Sequence, residues 1–206
     1  DYAASISDTD IAASVLNTLN GNVPGLITAT TVTNLTGTAA VIATLMGQEG
    51  DSGNKVNLDT NFNVTIASGS VAAAHLNTIS GKTSGTVTAT SATTITGTAA
   101  ALNTLVGDSE ISVASDYAIT IASGSVSAAH LNTINGDTTG LVTATSVTNL
   151  TGTAAAMATL MGQEGDSGNK VNLNGTFTAT VDAGSVAAAD LNTISGKTGG
   201  TVTATG

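Results

Sequence analysis

The sequence predicts a repeat solenoid: a right-handed parallel β-solenoid with a short helix in each coil, an αβ solenoid of about seven coils. Three observations predict it. Close relatives of VAAAHLNTISGKTSGTVTAT (71–90) recur along the sequence, with LNT signatures starting at Leu16, Leu76, Leu131 and Leu191, spaced 60, 55 and 60 residues apart. A second motif interleaves with the first, as TNLTGTAA at 33–40 and 148–155 and TTITGTAA at 93–100, and its continuation AAALNTL (99–105) repeats the LNT signature. Each long unit is therefore a degenerate pair. Aligning Leu16, Ile42, Leu76, Leu102, Leu131, Met157 and Leu191 gives steps of 26 and 29–34 residues, a length that fits one solenoid turn. The third observation is the placement of the aromatics. Tyr2, Phe62, Tyr117 and Phe177 are the only ones, and all fall on one repeat position, so they are expected to form an internal ladder with one rung per pair of coils.

Repeat units run approximately over 2–61, 62–116, 117–176 and, in part, 177–206. Asp1-Tyr2-Ala3 matches Asp116-Tyr117-Ala118 and the sequence stops within TVTATG, so the 206 residues read as one solenoid excerpted from a longer array. MGQEGDSGNKVNL at 46–58 returns letter for letter at 161–173, which recent duplication explains.

In order, Ala4-Ser5-Ile6-Ser7 alternates as a half-buried strand. Asp10, Ser70, Ser125 and Ser185 stand before helical runs and are expected to be N-caps. Gly21, Gly81, Gly136 and Gly196 are expected to close those helices in the left-handed conformation. In the copy at 71–79, Ala72, Leu76 and Ile79 share one helical face. Strands LITAT (26–30), TVTAT (86–90), LVTAT (141–145) and TVTAT (201–205) follow. Their alternation turns Ile27/Ala29, Val87/Ala89, Val142/Ala144 and Val202/Ala204 inward and leaves Thr-x-Thr pairs outside. Val32-Thr33-Asn34-Leu35 and its equivalents form a further short strand, then a Gly, a Thr cap and a second helix. A variable loop comes next, long in GQEGDSGN (47–54, 162–169) and five residues shorter around Asp108-Ser109-Glu110. The aromatic-bearing strands at 62–68, 117–123 and 177–183 complete the pair.

Composition narrows the function. Net charge is −10 with four Lys and no Arg, so the clustered cations that phosphate backbones require are missing and nucleic acid is not an expected partner. Without cysteine there is neither disulfide nor thiolate chemistry. No apolar run reaches the roughly 18 residues of a membrane span, so no insertion is expected. Aromatics are 2% of the residues and the remaining apolar content is small, which suits a narrow stacked core rather than a substrate cavity.

No catalytic constellation stands out, and the protein is not expected to be an enzyme. His75 and His130 share their repeat position with Val15 and Asp190, a series no ligand site would tolerate, so they read as surface residues. There is no GxSxG elbow, no phosphate loop ending in GK[ST] and no calcium-binding GGxGxDxUx nonapeptide. The acidic loop alone offers a metal site. Glu49, Asp51, Asn54 and Asp59, with their copies Glu164, Asp166 and Asn169, are candidate calcium ligands, hard oxygens on a glycine-flexed backbone. Asp59 is replaced by Asn174 in the second copy. Outward Thr-x-Thr pairs raise ice binding as another class. The interleaved rungs Ser5-x-Ser7, Thr65-x-Ala67, Thr120-x-Ala122 and Thr180-x-Asp182 break that rank if both strand sets lie on one face.

TTITGTAAALNTL (93–105) and SVSAAHLNTINGDTTGLVTATSVTNLTGTAA (125–155) resemble the degenerate arrays of giant secreted surface proteins of marine cyanobacteria and other aquatic bacteria, and the likeness covers essentially the whole sequence. The resemblance implies an extracellular structural role, in a surface layer, filament or adhesin, reached by one-step secretion. It carries no catalytic residue. The expected partners are further copies of the array, head-to-tail or lateral, and cell-surface polysaccharide. The alternative is a calcium-dependent adhesive or ice-binding module using the outward threonines.

Overall fold

The computed structural model describes residues 2–204. Among the described residues seven helices alternate with short strands in parallel sheets, an α/β arrangement. In sequence order come β1 (Ala4–Ser5), β2 (Asp10–Ala12), α1 (Ala13–Asn22), β3 (Ile27–Ala29), β4 (Asn34–Gly37), α2 (Ala39–Gln48), β5 (Val56–Leu58), β6 (Asn63–Ile66), β7 (Gly69–Ala72), α3 (Ala73–Ser80) and β8 (Val87–Ala89). There follow β9 (Ala92–Gly97), α4 (Ala99–Val106), β10 (Ile111–Val113), β11 (Ala118–Ile121), β12 (Gly124–Ser127) and α5 (Ala128–Asp137). The last elements are β13 (Val142–Ala144), β14 (Val147–Gly152), α6 (Ala154–Gln163), β15 (Val171–Leu173), β16 (Thr178–Val181), α7 (Ala188–Ser195) and β17 (Val202–Ala204).

The protein forms two compact units, residues 1–93 with 108–114, and 94–107 with 115–206. In the first, β1-β3-β5 and β2-β4-β6-β8-β10 are parallel sheets, and α1 packs on α2 and α2 on α3. In the second, β9-β11-β13-β15 and β12-β14-β16-β17 are parallel, with α4, α5, α6 and α7 packed in succession. Partners are one repeat step apart: Ala4 pairs with Ile27, Asp10 with Asn34 and Ile27 with Val56. The steps are thus 23, 24 and 29 residues, the longest wherever the long acidic loop intervenes. Parallel pairing at constant register brings like residues together, and the row Leu35, Val64, Val87, Ile111 is a continuous apolar stripe, buried throughout.

The LNT signature resolves into three roles. Its leucine is core, with Leu16, Leu76 and Leu131 fully buried. Its asparagine staples one helix to the next: Asn17 Nδ2 donates to Val41 O at 3.0 Å, and Asn132 Nδ2 to Ala156 O at 2.9 Å. Its threonine turns back on its own helix, as Thr18 Oγ1 donates to Ser14 O and Thr133 Oγ1 to Ala129 O. Such short helices are marginal alone, and the packed face plus the staple hold them.

Each buried aromatic residue is held by a clamp on its carbonyl. Thr83 and Thr138 donate their hydroxyls to Phe62 O (2.5 Å) and Tyr117 O (2.6 Å) and accept from Gly85 N and Gly140 N; Thr198 does the same between Phe177 O and Gly200 N. A Cβ on Gly85 or Gly140 would lie 2.3 Å from the aromatic carbonyl oxygen, so only glycine lets the strand approach. Phe62, Tyr117 and Phe177 are buried, as expected of the ladder. Tyr2 is not: it is 63% exposed. It precedes β1, an edge strand, so no neighbour among the described residues covers its outer side, and its hydroxyl donates to Asn22 O.

Inward alternation holds for Ile27/Ala29, Val87/Ala89 and Val142/Ala144, all fully buried. For Val202/Ala204 it fails, because β17 is also an edge strand; Val202 is half-buried and Ala204 exposed. Thr205 of that TVTAT run, like Asp1, lies outside the described residues. Thr38, Thr98 and Thr153 are the expected N-caps, accepting from Val41 N, Ala101 N and Ala156 N. Asp10, Ser70 and Ser125 are not caps but strand residues of β2, β7 and β12, and α7 starts only at Ala188, beyond Ser185, Val186 and Ala187. In β2 and β12 the backbone groups are engaged by β4 and β14, so the helices start only at Ala13 and Ala128, with no hydroxyl or carboxylate capping them. Likewise the face in α3 is Ala73, Leu76 and Ile79, while Ala72 belongs to β7. Nor are the helix-ending glycines left-handed. Gly81 and Gly196 have φ of −64° and −70° and donate to Asn77 O and Asn192 O, and Gly21 and Gly136 lie inside α1 and α5.

Candidate functional site

The acidic loop follows α2 in the first unit and α6 in the second, and its two copies fold alike. Glu49 and Glu164 leave the helix in extended conformation and bridge to Val56 and Val171, the first residues of β5 and β15. Gly50 N donates to Val56 O and Gly165 N to Val171 O, both at 3.1 Å, which closes the loop at its base. At the tip Lys55 N bonds Gly53 O and Lys170 N bonds Gly168 O across glycines at φ +70° and +65°. That is the left-handed region in which glycine escapes the Cβ penalty.

The seven candidate ligands are not gathered into one cluster. Asp51, Asn54, Asp166 and Asn169 are exposed at the loop tips. Asp59 lies beyond β5, where Oδ1 accepts from N of the next residue, Thr60, at 2.6 Å, whereas Asn174, at the equivalent position beyond β15, accepts from Thr176 N, two residues on. Glu49 and Glu164 are half-buried, and each faces an ammonium: Lys82 Nζ is 3.6 Å from Glu49 Oε2 and Lys197 Nζ is 3.2 Å from Glu164 Oε2. Among the described residues no three Asp, Glu or His side chains are grouped to hold a metal ion.

Sequence reasoning missed these two lysines, although a signal for them was present. Each stands 33 residues beyond its glutamate, in the turn after the next helix; the short loop has no such glutamate, and the repeat that follows it has no lysine at that position. There the lysine position holds Asp137, which accepts from Tyr117 Oη at 2.7 Å. Burial, then the hydrogen bond and the charge of Asp137, raise the Tyr117 phenol well above its ordinary value. The other two aromatics at this position that are buried are phenylalanines, and their repeats carry Lys82 and Lys197. Asp108 and Glu110 of the short loop instead receive Ser80 Oγ, at 2.7 and 3.4 Å. In the second unit Asn135 Nδ2 meets Gln163 Oε1 at 3.4 Å in the corresponding place.

Outward residues of the sheets also line up. Thr36, Thr65, Thr88 and Ser112 form a column across β4, β6, β8 and β10, as do Ser127, Thr151, Thr180 and Thr203 across β12, β14, β16 and β17. Part of their hydrogen-bonding capacity is used within the face, with Thr65 Oγ1 donating to Asn34 Oδ1 and Thr178 Oγ1 to Asn149 Oδ1. His75 and His130 are half-buried. Among the described residues no helix is long and apolar enough to cross a membrane. Comparisons with protein-family models, curated proteins and solved structures give no match to this protein.

Proposed function

We propose that the protein is a structural segment of an extracellular layer, filament or giant adhesin, an αβ solenoid whose repeats serve stacking rather than chemistry. The observation that carries this reading is that each repeated letter has a role in stacking, with leucine in the core, asparagine as helix staple, and threonine and glycine as the clamp on the aromatic carbonyl. Parallel pairing one repeat step away supports the solenoid, since that pattern lets an array grow by adding turns. Partners are then further copies of the array and the polysaccharide of the cell surface. Small-angle scattering tests the architecture and electron microscopy of the native material tests the assembly. A compact sphere in the first, or neither filaments nor sheets in the second, refutes the proposal, as does robust turnover in a broad hydrolase screen.

The threonine columns favour a second reading, an adhesive or ice-binding module. Its support is the unbroken alignment Thr36-Thr65-Thr88 and Thr151-Thr180-Thr203; against it stands the use of hydroxyls by Asn34 and Asn149. Thermal hysteresis by the isolated protein, lost on Thr151→Val and Thr180→Val, would establish it.

A further inference from the structure

Three Asn-Gly pairs occur in the sequence, Asn20-Gly21, Asn135-Gly136 and Asn174-Gly175, and they lie in very different surroundings. The first two are in the last turns of α1 and α5, with the asparagines buried. A helical peptide nitrogen is committed to the helix, and the closely packed asparagine cannot swing onto it. Asn174-Gly175 sits between β15 and β16, in the turn that leads to Phe177. Gly175 is exposed, and a Cβ built there would meet nothing within 4 Å. Its carbonyl accepts from Gly199 N, while its N–H makes no hydrogen bond among the described residues. Asn174 Oδ1 accepts twice, from Thr176 N at 3.1 Å and from Thr176 Oγ1 at 2.9 Å.

We propose that Asn174 is a selective site of spontaneous deamidation, independent of the functional reading above. The Gly175 nitrogen loses its proton to solvent base and attacks Asn174 Cγ. A new C–N bond forms, the Cγ–Nδ2 bond breaks, and ammonia leaves, giving a five-membered imide. Water then opens the imide at either carbonyl, to aspartate or to isoaspartate. Overall one water is consumed and one ammonia released, with no change of oxidation state. As the nitrogen attacks, negative charge gathers on Oδ1, where the two Thr176 donors already point, so the turn acts as a small oxyanion hole. The aspartate product restores the residue type of Asp59, which occupies the equivalent position after β5. The isoaspartate product carries an extra backbone methylene just ahead of the buried Phe177.

The test is peptide mapping by mass spectrometry on the intact folded protein held at mildly alkaline pH, with isoaspartyl methyltransferase labelling as a second readout. Asn174 is expected to convert while Asn20 and Asn135 do not, and in urea all three are expected to convert at similar rates. Gly175→Ala, for which there is open space, and Thr176→Val, which removes one oxyanion donor, should each slow conversion several-fold at an unchanged melting midpoint. Equal native rates at the three sites, persistence of the preference in urea, or full speed in Thr176→Val would overturn the proposal.

Discussion

Replacing Gly140 by alanine puts a Cβ 2.3 Å from Tyr117 O and 2.7 Å from Asp116 O, both backbone atoms that no rotamer change can move aside. The strand has to retreat by about 1 Å to restore ordinary contact. That retreat breaks the clamp, in which Thr138 Oγ1 holds Tyr117 O at 2.6 Å and Gly140 N holds Thr138 Oγ1 at 3.0 Å. Two hydrogen bonds at a net ~0.5–1.5 kcal/mol each, together with ~1–3 kcal/mol of overpacking, give a loss of about 2–6 kcal/mol. Gly136→Ala is the matched control, four residues away. Gly136 lies in α5, is exposed, and has nothing within 4 Å of its missing Cβ. Alanine there should stabilise by about 0.5–1 kcal/mol, because glycine gives up more backbone freedom in a helix. Thermal and urea unfolding of the two variants against the parent protein measures both, and at this size ~1 kcal/mol moves the midpoint about 2–4 °C. The clamp argument is refuted if Gly140→Ala melts with the parent or if Gly136→Ala falls as far.

The aromatic ladder gives a second contrast: Phe62→Ala should cost about 3–5 kcal/mol, whereas Tyr2→Ala, at an exposed edge, should stay within about 0.5 kcal/mol of the parent by urea titration. Lys82→Gln and Lys197→Gln each remove a half-exposed ion pair, so the expected loss is at most about 1 kcal/mol and should disappear in ~1 M salt. Since those ammoniums already face Glu49 and Glu164, calorimetric titration of the parent protein with calcium should give no heat; saturable heat would restore the acidic loops as a metal site. Tyr117 sets an alkaline limit. Its folded-state value is raised above the unfolded value near ~10, so its contribution is complete below that pH and declines as pH rises further, while only the unfolded state releases the phenolic proton. Melts across alkaline pH should show this decline, and Tyr117→Phe should flatten it; an unchanged slope would disprove the assignment.

The periodic parts of the fold were legible in the sequence because register repeats identity. VTA strands, the burial of Phe62, Tyr117 and Phe177, and the Thr38, Thr98 and Thr153 caps all follow from local alternation or spacing. The misreadings share a cause. Ser70-Val71-Ala72 and Ser125-Val126-Ser127 fit a capped helix start as well as a three-residue strand, and only a neighbour offering parallel hydrogen bonds decides for the strand. Val56-Asn57-Leu58 and Val171-Asn172-Leu173 are too short to stand out beside a long polar loop, yet the ladder makes them β5 and β15. Tyr2 and Val202 carry the right residue types for the core, but burial also needs a neighbour on the outer side. Within its own stretch the acidic loop shows only its carboxylates, while the lysine facing Glu49 or Glu164 lies one helix further on.

That distance has a consequence for how the repeats diversify. The lysine position and the aromatic position of one repeat, and the loop preceding it, are physically coupled through contacts within each unit. A glutamate in the long loop needs a cation opposite, because its half-buried carboxylate has lost part of its hydration, and Lys82 and Lys197 supply one. Where the loop is shortened that glutamate is absent. Asp137 stands in place of the lysine and is satisfied by a phenol, so the buried aromatic beneath it is Tyr117, with a donor, where the lysine-bearing repeats have Phe62 and Phe177. Loop length, charge and ring type therefore change together. The letter-for-letter return of MGQEGDSGNKVNL, which duplication explains, is matched at a distance by the return of SGKT at 80–83 and 195–198, so what repeats is the loop together with its counter-charge.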